Sequence, residues 1–236
     1  MNAFTYGLLL QWKLDIRSKS LLITCYGVPL IFFLLMGGIF TSVMPEMKHT
    51  LIPAMIILGV SMGALIGLPP SLSETCSPSV KKVFRANGVP LYLPLAALFL
   101  SAFLHLMLLS VLILLLAPAL FDAVPPANLF LFFAALAVYT AVSLSIGCAL
   151  GLALQNQAKL VMFSQLFFLP SIMLSGIMFP SEFLPDFLRK AGLIFPASWG
   201  YSLMLDQGFA FRNLWPLLLI GAAAVLLWNP LLKKQH

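Results

Sequence analysis

The sequence predicts an all-α integral membrane protein: six transmembrane helices, an N-terminal interfacial helix, and short re-entrant helices before the last span. Three observations predict this. Of 236 residues, 61% are hydrophobic and 8% charged, with a mean hydropathy of +1.05, whereas roughly a quarter of a soluble domain is charged. Apolar runs recur at the length of about 20 residues that a hydrocarbon core of about 30 Å demands. The basic residues also collect in alternate connections, as they do in a chain threaded through a bilayer. Six crossings with short loops leave room for one transmembrane domain over residues 1–236 and little else.

Residues 3–18 come first, with Leu8, Leu9, Leu10 and Trp12 beside Lys13, Arg17 and Lys19. That pattern predicts a helix lying in the membrane interface. The basic residues follow the apolar run and no small-residue cleavage site succeeds them, so no removable signal peptide is read here. Apolar runs bounded by charge, Pro or polar clusters place the spans near 21–42, 51–73, 91–117, 129–154, 160–179 and 213–232. An even number of crossings puts both termini on one side.

Sorting the charges by side orients the chain. One side takes Lys13, Arg17, Lys19, Lys81, Lys82, Arg85, Lys159, Lys233 and Lys234, nine of the 13 basic residues. The other takes Lys48, Arg189, Lys190 and Arg212 with Glu46, Asp122, Glu182, Asp186 and Asp206. The positive-inside rule makes the first side cytoplasmic, in a multi-pass protein of the cell membrane with both termini in the cytoplasm. The net charge of +6 then reflects topology and anionic lipid headgroups, and excludes nucleic acid as the partner.

Cys25, Cys76 and Cys148 have no CxxC spacing and no Cys/His neighbour, so they predict small packing residues and no metal site. Gly59, Gly63 and Gly67 in the second span, and Ser143, Gly147 and Gly151 in the fourth, recur every four residues. Such stripes let helix backbones approach closely, within one chain or at a dimer seam. His105 is the one ionisable group near mid-depth of the spans, one turn from Ser101. Ion-driven carriers need buried ionisable groups along their path, and this scarcity points to another energy source.

Two connections carry the functional reading. Between the second and third spans, Glu74 precedes a short amphipathic piece in which Val80, Val83 and Phe84 oppose Lys81, Lys82 and Arg85. Asn87-Gly88-Val89-Pro90 then stops it. A short helix of this kind fits a headgroup layer or a groove on another protein. After the fifth span, Pro180, Pro185 and Pro196 divide the chain into Phe183 to Leu193 and Ala197 to Asp206, too short to cross yet too apolar for a free loop. Backbone of this kind at membrane depth must pack in protein or line a cavity. These pieces are therefore expected to dip into the outer leaflet and return, or to form an aromatic belt with Trp199 and Tyr201.

With six spans, an interfacial first helix, the acidic-then-basic connection and the series Ser175-Gly176, Phe179-Pro180, Leu184-Pro185 and Pro196, the chain resembles the type-two ABC exporter permeases. The resemblance implies a half-transporter that pairs with a second copy or a paralogue and with cytoplasmic ABC ATPase subunits. It implies an ATPase-coupling contact at Glu74, Lys81, Lys82, Phe84, Arg85 and Asn87. Where members often carry Glu closely followed by Gly-Thr, this chain has Glu74-Thr75-Cys76. It further implies an extracellular gate built on Ser175, Gly176, Pro180, Glu182, Pro185 and Pro196. No G-x-x-x-x-G-K-[ST] phosphate loop occurs in the chain. No cofactor is therefore expected here, with ATP and Mg bound by the partner subunit.

Met55, Met62, Phe163 and Phe167, with Phe168 and Met173, are the pathway candidates; their apolar, adaptable surfaces suit an amphipathic or hydrophobic drug, peptide or lipid-like cargo. Two other classes remain open on sequence. A membrane-embedded enzyme would rest on Ser101 and His105 as its near-candidate pair. A channel or partner not coupled to ATP would be expected to show a polar ring in the spans, and none is evident.

Overall fold

A computed structural model describes residues 3–90, 92–178, 183–205 and 210–234, and every regular element among them is helical. In chain order these are α1 (Ala3–Arg17), α2 (Lys19–Val43), α3 (Met47–Thr75), α4 (Pro78–Ala86), α5 (Tyr92–Phe121), α6 (Leu129–Ala153), α7 (Gln157–Met173), α8 (Asp186–Gly192), α9 (Pro196–Leu205) and α10 (Phe211–Lys234). Local chemistry sets several boundaries. Ser18 breaks α1 from α2 and its side chain accepts from the Leu21 N–H; Asn128 and Asn156 start α6 and α7 the same way, from Leu131 and Lys159. Both α2 and α3 contain one π-helical turn, Ile23–Gly27 and Gly63–Gly67, and the two turns face each other across the Cys25–Gly67 contact.

Among the described residues five helices are long and apolar enough to cross a bilayer: α2, α3, α5, α6 and α10. The fifth predicted span, near 160–179, differs. Here α7 has 17 residues, about 25 Å at 1.5 Å per residue, because it ends at Met173 and the chain turns at Gly176, whose φ of 83° is left-handed. It nevertheless runs the height of the bundle, starting beyond Leu154 at one end and finishing at Leu174, which shares a cleft with Thr50 at the other.

The two ends are distinct. At one, the 44–50 and 122–128 connections gather with α8 and α9: His49, Pro125 and Leu203 line one cavity, and Met47, Ser175 and Tyr201 another. At the other end lie α4 and the turn at 154–156, tied by a Ser73 Oγ hydrogen bond to the Leu154 carbonyl at 3.2 Å.

α3 is the central helix, with 83% of its most apolar window buried inside the protein. The glycine stripes explain how its neighbours come so close. A Cβ on Gly63 would sit 2.3 Å from Leu106, and one on Gly59 2.9 Å from Leu109, both on α5. On α6, a Cβ on Gly147 would lie 2.0 Å from the Ala64 carbonyl oxygen, and one on Gly151 2.8 Å from that of Pro69. Both stripes are used for packing within the chain, where close backbone approach supplies dispersion that lipid cannot. A hydrogen bond of 2.6 Å between Ser61 and the buried Tyr139 hydroxyl adds a polar tie between α3 and α6.

Candidate functional site

α4 forms as predicted between the Cys76-Ser77 turn and Asn87-Gly88, where Gly88 takes φ 66° and the Asn87 side chain donates to the Val83 carbonyl. The pattern of apolar and basic residues leaves open which face of the helix meets the rest of the protein. Lys81 is 4% exposed and is engaged within the protein, near enough to Cys76 to oppose electrostatically the burial that pushes that thiol up. Val83, on the apolar side of the pattern, is 59% exposed. The helix is turned so that the long Lys81 stem is covered, a common use of an amphipathic side chain. Ser79, Lys82, Val83, Ala86 and Asn87 make the open strip, at helical spacing. Phe84 is half-buried and Glu74 is exposed just before the turn; of Arg85 the backbone lies in α4 and its side chain is outside the described residues.

At the opposite end, α8 and α9 are the two short helices predicted after the fifth span. Pro185 precedes the first turn of α8 and Pro196 opens α9, positions where a missing N–H costs nothing. Gly200 of α9 lies against the Tyr139 ring, ten residues into α6 and so roughly 15 Å below its start. α9 therefore reaches well down into the bundle, and Pro196, Ser198 and Tyr201 are buried by it. Ser198 and Trp199 bind the end of α8 through the Gly192 and Leu193 carbonyls, both at 2.7 Å. Ser175 and Gly176 are buried beside them, Ser175 donating to the Ile172 carbonyl. Pro180 and Glu182 lie outside the described residues.

The pathway candidates separate. Met55 is 1% exposed within the core and Met62 is half-buried. Phe163 and Met173 are exposed on α7, while Phe167 and Phe168 are half-buried, the Phe167 ring edge-on to Phe195 at 5.4 Å. Of the expected surface on the second and fifth spans, α7 offers the open part.

A buried polar knot was hidden from the sequence. α1 leans along the first turns of α5, with Gly7 near Leu93 and Trp12 stacked on the His105 ring at 4.2 Å. This brings Asp15, 6% exposed, to Ser101, whose hydroxyl donates to one carboxylate oxygen while Gln11 donates to the other at 2.7 Å. His105 binds the Tyr26 hydroxyl through Nδ1 at 2.7 Å, and its Nε2 has no hydrogen-bond partner among the described residues. Ser101 is thus committed to Asp15 rather than to His105, and the pairing an embedded hydrolase would need is not made. Asp15→Ala should leave the buried Ser101 hydroxyl unmatched and loosen α1 by about 1–3 kcal/mol. Faster hydrogen exchange over residues 3–17, with Asp15→Asn closer to the parent, is the expected readout.

A described fold made of helices, five of them long and apolar enough to cross a bilayer, defines a multi-pass integral membrane protein. The family model of the ABC-2 type transporter matches residues 4–209, and the chain belongs to that family. The matched region takes in every element from α1 to α9, including both end structures described above. The family is a transmembrane transporter domain, and membership places the chain in the context of an ABC transporter with an ATPase partner. No curated protein and no solved structure matches it.

Proposed function

We propose that the chain is the permease subunit of an ATP-driven exporter carrying an amphipathic or hydrophobic substrate across the cytoplasmic membrane. In this reading α7 supplies the sixth crossing, so both termini share the cytoplasmic side with α4. The observation that carries it is the open strip of α4, Ser79, Lys82, Val83, Ala86 and Asn87, at the end richer in basic residues and within the matched family region. An exposed valine beside a lysine on a short, solvent-facing helix fits a protein groove. There α4 would receive the closure of a separate ATPase that binds ATP and Mg. Lys81 supports that helix from behind, and Glu74 marks its approach.

A second permease, copy or paralogue, would meet the apolar face of α7 around Phe163 and Met173. Cargo would pass between the two and leave beneath α8 and α9. Co-expression with an ATP-binding protein encoded alongside is expected to yield a stable complex with ATPase activity, and the purified chain alone none. A chain that crosses the membrane yet retains no ATP-binding protein through purification would contradict the proposal.

A further inference from the structure

A cleft of about 510 Å³ opens at the end of the bundle opposite α4, a volume within the range of small-molecule sites. Its lining is chemically mixed. Arg189 and Lys190, neighbours at the end of α8, supply its charge; Met47, Leu174, Leu193 and Leu205 supply apolar surface. Hydroxyls of Thr50, Ser175, Ser198 and Ser202 also line it, but each already donates its proton to a backbone carbonyl, of Met47, Ile172, Gly192 and Ser198, and the Tyr201 hydroxyl that lines it is hydrogen-bonded with Thr50. The N–H donors left for a ligand are therefore those of the guanidinium and the ammonium. Arg189 is held through one nitrogen by Asp186 at 2.6 Å, which leaves further guanidinium N–H groups, and Lys190 has no ion pair among the described residues. Among the described residues no carboxylate lines the cleft.

We infer that this cleft binds the head of an anionic amphiphile, a phosphate or carboxylate carried on an apolar chain. Two adjacent cations, with no acid among the described lining residues, repel a cationic ligand and attract an anion, and the planar fork of Arg189 matches a phosphate or carboxylate edge. The leucine and methionine surface then has a use that a bare anion would leave empty. The inference deepens the exporter reading, on which only the naming of this ligand as cargo rests, and the binding itself is a property of the chain alone.

The test uses the purified full chain in a neutral maltoside detergent, titrated calorimetrically with hexyl phosphate, inorganic phosphate and hexyltrimethylammonium. Hexyl phosphate is expected to bind, with inorganic phosphate and hexyltrimethylammonium each weaker by about tenfold or more, a difference of about 1.4 kcal/mol. The Arg189→Gln/Lys190→Gln double variant should lose a similar factor for hexyl phosphate; both side chains are exposed, so it should fold as the parent does. Hexyl phosphate binding left unchanged by the double variant, or matched by hexyltrimethylammonium, overturns the inference. Inorganic phosphate binding as tightly as hexyl phosphate overturns its amphiphile part. Failure of an ATPase to copurify would sink the exporter reading without moving any of these three isotherms.

Discussion

Replacing Gly147 with alanine should cost about 3 kcal/mol or more of stability, the upper range for forcing an extra carbon into a packed interior. A Cβ there would lie 2.0 Å from the Ala64 carbonyl oxygen, and the obstacle is backbone on both sides. Neither α3 nor α6 has a side chain to rotate away, so the helices must separate along their contact. That separation also stretches the Ser61–Tyr139 hydrogen bond and weakens the seat of Gly151 on α3. Gly38 of α2 is the matched control: a Cβ there meets nothing within 4 Å. Its change to alanine should fall within about 0.5 kcal/mol of neutral, since alanine is the better helix former. Reversible unfolding in mixed detergent micelles measures both, and equal stability of the two variants would show that α3 and α6 do not meet as described.

Charge reversal on the open strip of α4 should have the largest functional effect. Lys82→Glu together with Val83→Asp replaces a cation and an exposed apolar contact by two carboxylates, with no buried group touched. Truncating a hot-spot residue at the centre of a protein interface costs about 2 kcal/mol or more. Like-charge juxtaposition adds to that against any acidic groove rim. The ATPase should no longer copurify, and coupled ATP hydrolysis should fall by at least about a hundredfold, while the chain itself melts as the parent does. Lys81→Met is the contrasting variant. Because Lys81 is buried and engaged within the protein, its loss should appear in the stability of the α3–α4 turn first.

Hydropathy alone located the long helices, because lipid leaves a spanning backbone no option but to satisfy its own hydrogen bonds. The proline series after the fifth span likewise marked α8 and α9, since Pro185 and Pro196 each stand at a helix start. The end of α7 was less legible: Pro170 lies inside the helix, and the stop at Met173 comes from the turn at Gly176. Asp15 lies in the segment expected as an interfacial helix, and only packing against α5 reveals its partner 86 residues away in Ser101. Gln11, one turn before it, is the local trace of that burial, for it is held to the same carboxylate. Which face of α4 meets the protein was equally hidden, because periodicity gives the spacing of a face and not the neighbour it meets.

Sidedness tests the account most directly. The three native cysteines are buried, and burial pushes the Cys76 thiol up, so it remains protonated and slow to react at neutral pH. Single cysteines at the exposed positions Asn87, on the α4 side, and Lys190, on the cleft side, can then be labelled with a membrane-impermeant maleimide. In intact cells Lys190→Cys should label and Asn87→Cys should not, with Asn87→Cys reacting once the membrane is opened. Labelling of Asn87→Cys from outside, with Lys190→Cys protected, would place α4 beyond the reach of any cytoplasmic ATPase and contradict the account.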